Sequence, residues 1–252
     1  MEATVTPLRV YPTPEALGTA LAALVLDHVR RGRKPFLLGC PTGRTPRPAY
    51  EALAGADLSD VILVMMDEYL VGGEWASEAA PWSCHGFVRQ HIRFDVGEIW
   101  FPDPADPSAY DRRIADAGGI DLFLLASGAS DGHVAFNSTG SPRDSRTRIV
   151  PLSEETRRDN LQTSPSFGSL DNVPRHGVTV GIATIAEARE AVMALTGTGK
   201  RLTLQRILAA NGYDPRWPAT VIHECARRWI FADAAAAEGQ AVASATADAS
   251  VR

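Results

Sequence analysis

Residues 35–46 have the sequence PFLLGCPTGRTP, in which a short apolar run leads into a loop of proline, threonine and glycine. The run 35–40 is typical of a buried strand, and a helix is predicted to begin near Arg47. Glycine allows close backbone approach to an anion, threonine hydroxyls donate to it, and a helix N-terminus adds partial positive charge. The segment therefore suits phosphate, although an ordinary turn capped by Thr45 remains the alternative.

The pattern of apolar run followed by polar loop recurs along the chain, at 61–66, 120–126, 178–182 and 191–196. Apolar positions at helical spacing predict a helix over 14–31, and shorter helices are expected at 47–53, 185–189 and after 200. Continuous apolar strands alternating with helices predict one α/β domain: a mostly parallel, doubly wound, Rossmann-like sheet with helices on both faces. We expect this domain to span 1–233. The stretch 234–252, rich in alanine, serine, glycine and aspartate, is expected to be a frayed helix followed by a flexible tail.

The composition limits the class of function. The chain has 252 residues, 45% hydrophobic and 22% charged, with a formal net charge of -5. A general nucleic-acid partner is therefore not expected, because such proteins need a basic surface. Three cysteines without a CxxC pair indicate neither a disulfide framework nor a zinc site. The N-terminus lacks a signal-peptide pattern, and no apolar run approaches the roughly 20 residues that span a bilayer, so a cytoplasmic protein without membrane contact is expected.

Four polar clusters follow the predicted strands, at 42–45, 67–68, 131–133 and 197–200. In open parallel sheets, ligands bind beyond the carboxyl ends of the strands, so these clusters are expected to meet in one site. Lys200 is a candidate phosphate ligand opposite the first loop.

The candidate acid–base groups are two strand-end carboxylates and one histidine. Adjacent residues of a strand face opposite sides, so only one of Asp67 and Glu68 can face a ligand, and the residues alone do not indicate which. Asp131 next to His133 can fix the imidazole tautomer and stabilise the imidazolium, which favours proton transfer near neutral pH. A lone structural histidine is the alternative. A metal site is disfavoured, because no HxH or HxxxH partner lies nearby.

These segments together resemble the glucosamine-6-phosphate deaminase/isomerase family, whose structural cousin is 6-phosphogluconolactonase. The matching segments occur in family order over roughly 35 to 230 and read GCPTGRTP (39–46), MDEY (66–69), DGHVAFN (131–137), SRTRI (145–149), TRRDN (156–160) and VPRHGVTVG (173–181), followed by Lys200.

The resemblance implies a mechanism and assigns roles. His133 would open the sugar ring, Asp131 would orient it, and Asp67 would move a proton between C2 and C1 before ammonia leaves. The phosphate would be held by Thr42, Gly43, Thr45 and Lys200. The implied substrate is a small phosphorylated sugar, with no metal or organic cofactor, and a homo-oligomer is possible because relatives often assemble.

Two departures from the family pattern affect these expectations. Ser138 stands where the deaminases carry a glutamate that supports the ring-opening histidine, and a hydroxyl cannot supply its negative charge. Gln162 stands where the family has a phosphate-binding arginine, and we expect Arg44 to replace that charge. A lactone hydrolase, in which His133 activates water, and a phosphosugar-binding sensor with weakened catalysis are therefore retained as alternatives.

Overall fold

The computed structural model of the protein describes residues 6–240. In chain order its strands and helices are β1 (Leu8–Tyr11), α1 (Pro14–Arg31), β2 (Phe36–Cys40), α2 (Arg47–Ala52), β3 (Asp57–Met65), β4 (Asp67–Val71), β5 (Glu74–Trp75), α3 (Cys84–His91), β6 (Asp95–Trp100), α4 (Pro107–Asp116), β7 (Leu122–Ala126), β8 (Arg148–Pro151), α5 (Glu154–Thr163), β9 (His176–Thr179), α6 (Ile182–Ala186), β10 (Glu190–Leu195), α7 (Arg201–Ala209), β11 (Arg227–Asp233) and α8 (Ala234–Ala237). Short 3-10 helices lie at Pro165–Phe167, Leu170–Asn172, Thr198–Lys200 and Pro218–Glu224.

The centre of the fold is a seven-stranded sheet with the order β1-β11-β10-β7-β2-β3-β6. All of its paired strands run parallel. The strand order switches direction between the neighbouring strands β2 and β7. The polar loops that follow these two strands therefore lead to opposite sides of the sheet. The predicted α/β class with a mostly parallel sheet is confirmed.

Each face of the parallel sheet supports its own hydrophobic core. Side chains alternate along a strand, so Leu37 of β2 faces one core while Phe36 and Leu38 face the other. The Leu38 side packs against α1, α2 and α3, and the Leu37 side packs against α4, α6 and α7. Burial on both faces explains why these strands are continuous apolar runs rather than alternating ones.

The first helix follows its sequence signals. Thr13 caps α1 by accepting a hydrogen bond from the Ala16 amide, Pro14 occupies the first turn, and basic residues lie in the last turn. The predicted bounds, 14–31, are confirmed.

A second, four-stranded antiparallel sheet has the order β5-β4-β9-β8 and lies at the carboxyl end of β3. The prediction of a strand over 178–182 in the parallel sheet was wrong. The strand is β9, it pairs antiparallel with β4 and β8, and Ile182 already begins α6. An apolar run indicates only that a segment is buried. Because both sheets contain buried strands, the run did not indicate which sheet the segment joins.

The end of the described chain bears on two further expectations. The predicted tail, 234–252, begins with helix α8, and its residues 241–252 lie outside those described. Within 6–240, no helix combines the length and apolar character needed to cross a bilayer.

Candidate active site

A cavity of about 730 Å³ opens at the carboxyl edge of the parallel sheet. Seven of the predicted site residues line it: Thr42, Gly43, Arg44, Thr45, Asp67, His133 and Lys200. They come from the segments that follow β2, β3, β7 and β10, which are far apart in sequence, and Asp67 is the first residue of β4. Asp131 and Ser138 do not line the cavity and lie behind His133, where they contact other side chains. We call this space the carboxyl-edge cavity.

The structure separates the roles of the two adjacent carboxylates. Glu68 is fully buried and faces away from the cavity. It accepts hydrogen bonds from the amides of Tyr69, Cys84 and His85 and from the His85 ring nitrogen Nδ1, at 2.6–3.0 Å. Its charge therefore lies at the N-terminus of α3, where a helix stabilises an anion. Asp67, on the opposite side of the strand, faces the cavity.

The environment of Asp67 suits a group that exchanges protons near neutral pH. Burial raises the pKa of this carboxyl to about 7, the Cys84 thiol and the His133 charge act to lower it, and the Glu68 charge acts to raise it. The Cys84 thiol donates to Asp67 Oδ1 at a sulfur–oxygen distance of 3.4 Å. Asp67 is therefore poised to accept and return a proton without large changes in driving force.

His133 is held by Asp131 in one tautomer. The ring nitrogen Nδ1 donates to Asp131 Oδ1 at 2.7 Å, which leaves Nε2 for a ligand. Burial alone would raise the pKa of Asp131, but the hydrogen bonds and charge of His133 hold it well below its ordinary value. Gly128 allows this ring position, since a Cβ there would lie 2.2 Å from His133 Nδ1.

Three hydroxyl groups lie behind Asp131. Thr156, fully buried, donates to Asp131 Oδ2 at 2.8 Å. The Ser138 hydroxyl lies 3.1 Å from that of Thr156, and the Ser153 hydroxyl lies 3.0 Å from it. Ser138 thus occupies the family glutamate position as one end of a hydroxyl chain that reaches His133 through Thr156 and Asp131.

Asp159 orders the loop after β7. Its Oδ2 accepts hydrogen bonds from the amides of Ala129 and Ser130, at 2.8 and 3.0 Å. Together with Asp131 and His133 it forms a group whose potential metal-ligating atoms lie within 4.8 Å of one another. Protein N–H and O–H donors already occupy both carboxylates, and these hydrogen bonds account for their positions.

One end of the cavity is cationic. Lys200 donates from Nζ to the Ser127 carbonyl, and burial lowers the pKa of its amine to about 8. Arg44 is exposed, and its charge contributes to the lowered pKa of Lys200. The Thr196 hydroxyl donates to that of Thr45 at 3.4 Å, which connects the loops after β10 and β2. Two cations and two hydroxyl-bearing loops therefore surround a space suited to a phosphate group.

Reasoning from sequence missed several residues of this site. Cys84 and Thr156 contact the two carboxylates from α3 and α5, and Asp159 orders a loop from 30 residues away. Gln162, at the position of the family's phosphate-binding arginine, was not counted among the predicted site residues, yet it lines the cavity. Thr156 and Asp159 lie in the family-matching segment TRRDN (156–160), which was a signal for their importance but not for their contacts. Cys84 lies in no matching segment, and only the packing of α3 against the sheet reveals its contact.

Comparison with known proteins agrees with this arrangement. The family model described as "Glucosamine-6-phosphate isomerases/6-phosphogluconolactonase" matches residues 12–231. The chain belongs to this family. Glucosamine-6-phosphate deaminase of Rhodococcus opacus (strain B4) is 38% identical over 203 residues, which cover 76% of each chain. Glucosamine-6-phosphate deaminase of Rhodopirellula baltica is 35% identical over 246 residues, which cover 91% of this chain and 94% of the relative.

Solved structures of the glucosamine-6-phosphate isomerase/6-phosphogluconolactonase family share the fold. A monomeric glucosamine-6-phosphate deaminase superimposes with a TM-score of 0.81 at 26% identity, over 92% of this chain and 98% of its own. 6-Phosphogluconolactonase of Leishmania guyanensis gives a TM-score of 0.72 at 18% identity, over 95% of this chain and 100% of its own, and shows the same fold.

We predict that Thr156→Val destabilises the protein by about 1–3 kcal/mol, because Asp131 Oδ2 would lose its buried donor while the volume is conserved. Urea denaturation measures the free energy of unfolding. Thr156→Ser keeps a hydroxyl and is the matched control, so it should retain most of the hydrogen-bond contribution. A valine variant as stable as the unchanged protein would show that this hydrogen bond contributes nothing.

Proposed function

We propose that this chain is a glucosamine-6-phosphate deaminase, which converts glucosamine 6-phosphate and water to fructose 6-phosphate and ammonia. The observation that carries the proposal is that Asp67 and His133 line one cavity together with Lys200 and the threonine-rich loop. A base, an acid and a phosphate-binding end are thus available to one small sugar phosphate. Relatives of that name, similar over most of the chain, support the same assignment.

The phosphate group is assigned to the loop after β2 and to Lys200. Thr42, Gly43 and Thr45 line the cavity beside the amine of Lys200. The positive φ of Gly43, 96°, suits glycine and lets the backbone turn tightly at this point. Arg44 supplies a second cation at the same end, while Gln162, uncharged, lines the cavity nearby.

Ring opening is assigned to His133. Because Nδ1 donates to Asp131, Nε2 is the nitrogen that exchanges a proton with the ring oxygen and the C1 hydroxyl. Asp131 stays ionised, since its pKa lies well below the ordinary value, and it stabilises the imidazolium when His133 takes up a proton. Thr156 keeps Asp131 in this orientation.

Isomerisation is assigned to Asp67. In the open-chain sugar, the carboxylate removes the proton from C2 and returns it to C1. The C1 carbonyl oxygen gains a proton and the C2 amine loses one, so that the C1 aldehyde becomes an alcohol and the C2 amine becomes an imine. Water then adds to C2, and ammonia leaves to give the ketone. The raised pKa of Asp67, about 7, matches a group that must both accept and donate this proton.

The serine at 138 distinguishes this chain from the family pattern. Its hydroxyl contacts Thr156 rather than His133, so the negative charge near the histidine comes from Asp131. We propose that the hydroxyl chain holds Asp131 rigidly and that Ser138 acts as a positioning residue through Thr156.

The direct test is to incubate the purified protein with glucosamine 6-phosphate and, separately, with 6-phosphogluconolactone. Ammonia release is expected from the first substrate, and Asp67→Asn should reduce it by about 10²–10⁴-fold, the usual contribution of a positioned base. Asp60→Asn, on the exposed part of β3, is the matched control and should leave the rate unchanged. Acid release from the lactone without ammonia release would assign a lactonase, and binding without turnover would assign a sensor.

We predict that kcat/KM rises as pH increases through about 7 and falls above about 8. Asp67 must be ionised to accept the C2 proton, and Lys200 must be protonated to hold the phosphate. Lys200→Arg keeps the cation at higher pH, so it should move the alkaline limb upward and leave the acid limb in place. An alkaline limb unchanged in this variant would contradict the role of Lys200.

We predict that Arg44→Ala raises KM for glucosamine 6-phosphate by about tenfold with little change in kcat, as expected when a charge-assisted phosphate contact is lost. Steady-state kinetics measures both constants. Gln162→Arg in the same background should restore much of the affinity by returning a cation to this end, whereas Arg112→Ala, exposed on α4, should have no effect. An unchanged KM in Arg44→Ala would rule out this assignment.

A further inference from the structure

A second cavity, of about 680 Å³, lies at the opposite edge of the parallel sheet. It is formed by the residues that precede or begin β2, β7, β10 and β11 and by the last turns of α1. Glu190 at this edge and Leu195 at the other are the two ends of β10, a strand of six residues. At about 3.3 Å per residue the strand separates the two cavities by about 17 Å. The second cavity is therefore a distinct space, and nothing in the proposed reaction uses it.

The lining of the second cavity is rich in arginine. Five guanidinium groups and three carboxylates line it, an excess of two positive charges in a protein whose formal net charge is -5. The arginines are Arg31, Arg33, Arg189, Arg227 and Arg228, and the carboxylates are Asp27, Asp121 and Glu190. We call this space the arginine cavity.

The carboxylates of the arginine cavity are engaged at its floor. Glu190 is 5% exposed, accepts from Trp229 Nε1 at 2.9 Å, and pairs with His28 Nε2 at 3.0 Å. Asp121 is 7% exposed and accepts from Arg33 Nε and from the Leu37 amide. Both carboxylates are therefore satisfied within the protein and do not project as free charges toward a ligand.

Arg33 shows what a purely structural arginine does here. Its guanidinium donates to Asp121 and to the carbonyls of Ala117 and Gly119, and its side chain is 29% exposed. These contacts tie the β2 and β7 ends together and use the nitrogens of the group.

Three other arginines are placed differently. The side chains of Arg31, Arg189 and Arg227 are 55–68% exposed, and each makes a single carboxylate contact, at 3.1–3.5 Å. Arg189 also donates to the Gly118 carbonyl. A guanidinium group has five N–H donors in a planar fork. Because these three arginines use only one or two contacts each, N–H donors are left at the rim of the cavity for an added anion.

We propose that the arginine cavity binds a small polyvalent oxyanion, either a phosphorylated or a polycarboxylic metabolite. Guanidinium groups bind phosphate and carboxylate groups through paired N–H donors. Several guanidinium groups around one cavity favour a ligand that carries more than one negative charge. The volume exceeds that of a single phosphate ion, so a ligand with two anionic groups or an organic body fits the space. The site does not depend on the proposed reaction, since it shares no residue with the carboxyl-edge cavity.

Trp229 provides a local signal for this binding. Its indole Nε1–H group donates to Glu190 at the floor of the cavity. The NMR resonance of this indole proton should therefore shift when an anion binds. The resonance is identified by its loss in Trp229→Phe. Pyrophosphate and citrate are the probes. Sodium chloride at matched ionic strength is the control for each titration, because salt screening alone changes the interactions between exposed charges.

The expected result is a saturable shift of the Trp229 resonance with at least one probe. Arg31→Glu should weaken this binding about tenfold or more, since it replaces a rim cation by an anion. Arg30→Glu is the matched control: Arg30 lies in the same last turn of α1, pairs with the same Asp27, and does not line the cavity. It should leave the affinity within about twofold, because an exposed charge outside the site is largely screened.

The comparison of probes and variants makes the outcome definite. Tighter binding of pyrophosphate assigns phosphorylated ligands, and tighter binding of citrate assigns polycarboxylates. Lys200→Ala alters the carboxyl-edge cavity and should not change the Trp229 titration. Anion binding in the arginine cavity is thereby tested independently of the proposed deaminase reaction. No saturable shift with either probe, or equal weakening by Arg31→Glu and Arg30→Glu, would overturn the proposal.

Discussion

The burial of Glu68 is the interaction on which the rest of the site depends. A fully buried carboxylate is tolerated only when donors compensate its lost hydration. Here three N–H groups at the start of α3 and the Tyr69 amide of β4 do so. This contact joins α3 to the point where the chain leaves the parallel sheet for the antiparallel one. Because neighbouring side chains of a strand face opposite ways, it also turns Asp67 into the cavity.

Two aspartates of the site are driven to opposite protonation behaviour by their surroundings. Asp67 is buried and has a thiol as its hydrogen-bond donor, so burial dominates and its pKa rises to about 7. Asp131 has an imidazole and a hydroxyl as partners, which favour the anion and lower its pKa. One carboxyl is thereby suited to move a proton and the other to remain a charge, a division that environment alone can impose.

The parallel sheet presents different chemistry at its two edges. At the carboxyl edge, loops and short helices bring amides, hydroxyls and Lys200 together around the carboxyl-edge cavity. At the amino edge, the His28–Glu190 pair ties β10 to α1, and the Arg33–Asp121 pair joins the segments that precede β2 and β7, around the arginine cavity. Both cavities arise because strands of one sheet end together, so residues far apart along the chain gather at each edge.

The apolar runs and the polar residues after them were enough to predict the parallel sheet, helix α1 and the loops that carry Asp67, His133 and Lys200, because burial and strand direction leave a direct pattern in the order of residues. The strand pattern did not choose between Asp67 and Glu68; the family resemblance favoured Asp67, and the structure places Asp67 at the cavity. The antiparallel pairing of β9 and the contacts of Thr156 and Cys84 were decided only by tertiary structure. These features depend on which helices and strands pack against each other in the fold. The type of a single side chain indicates whether it is buried but not which residue it contacts.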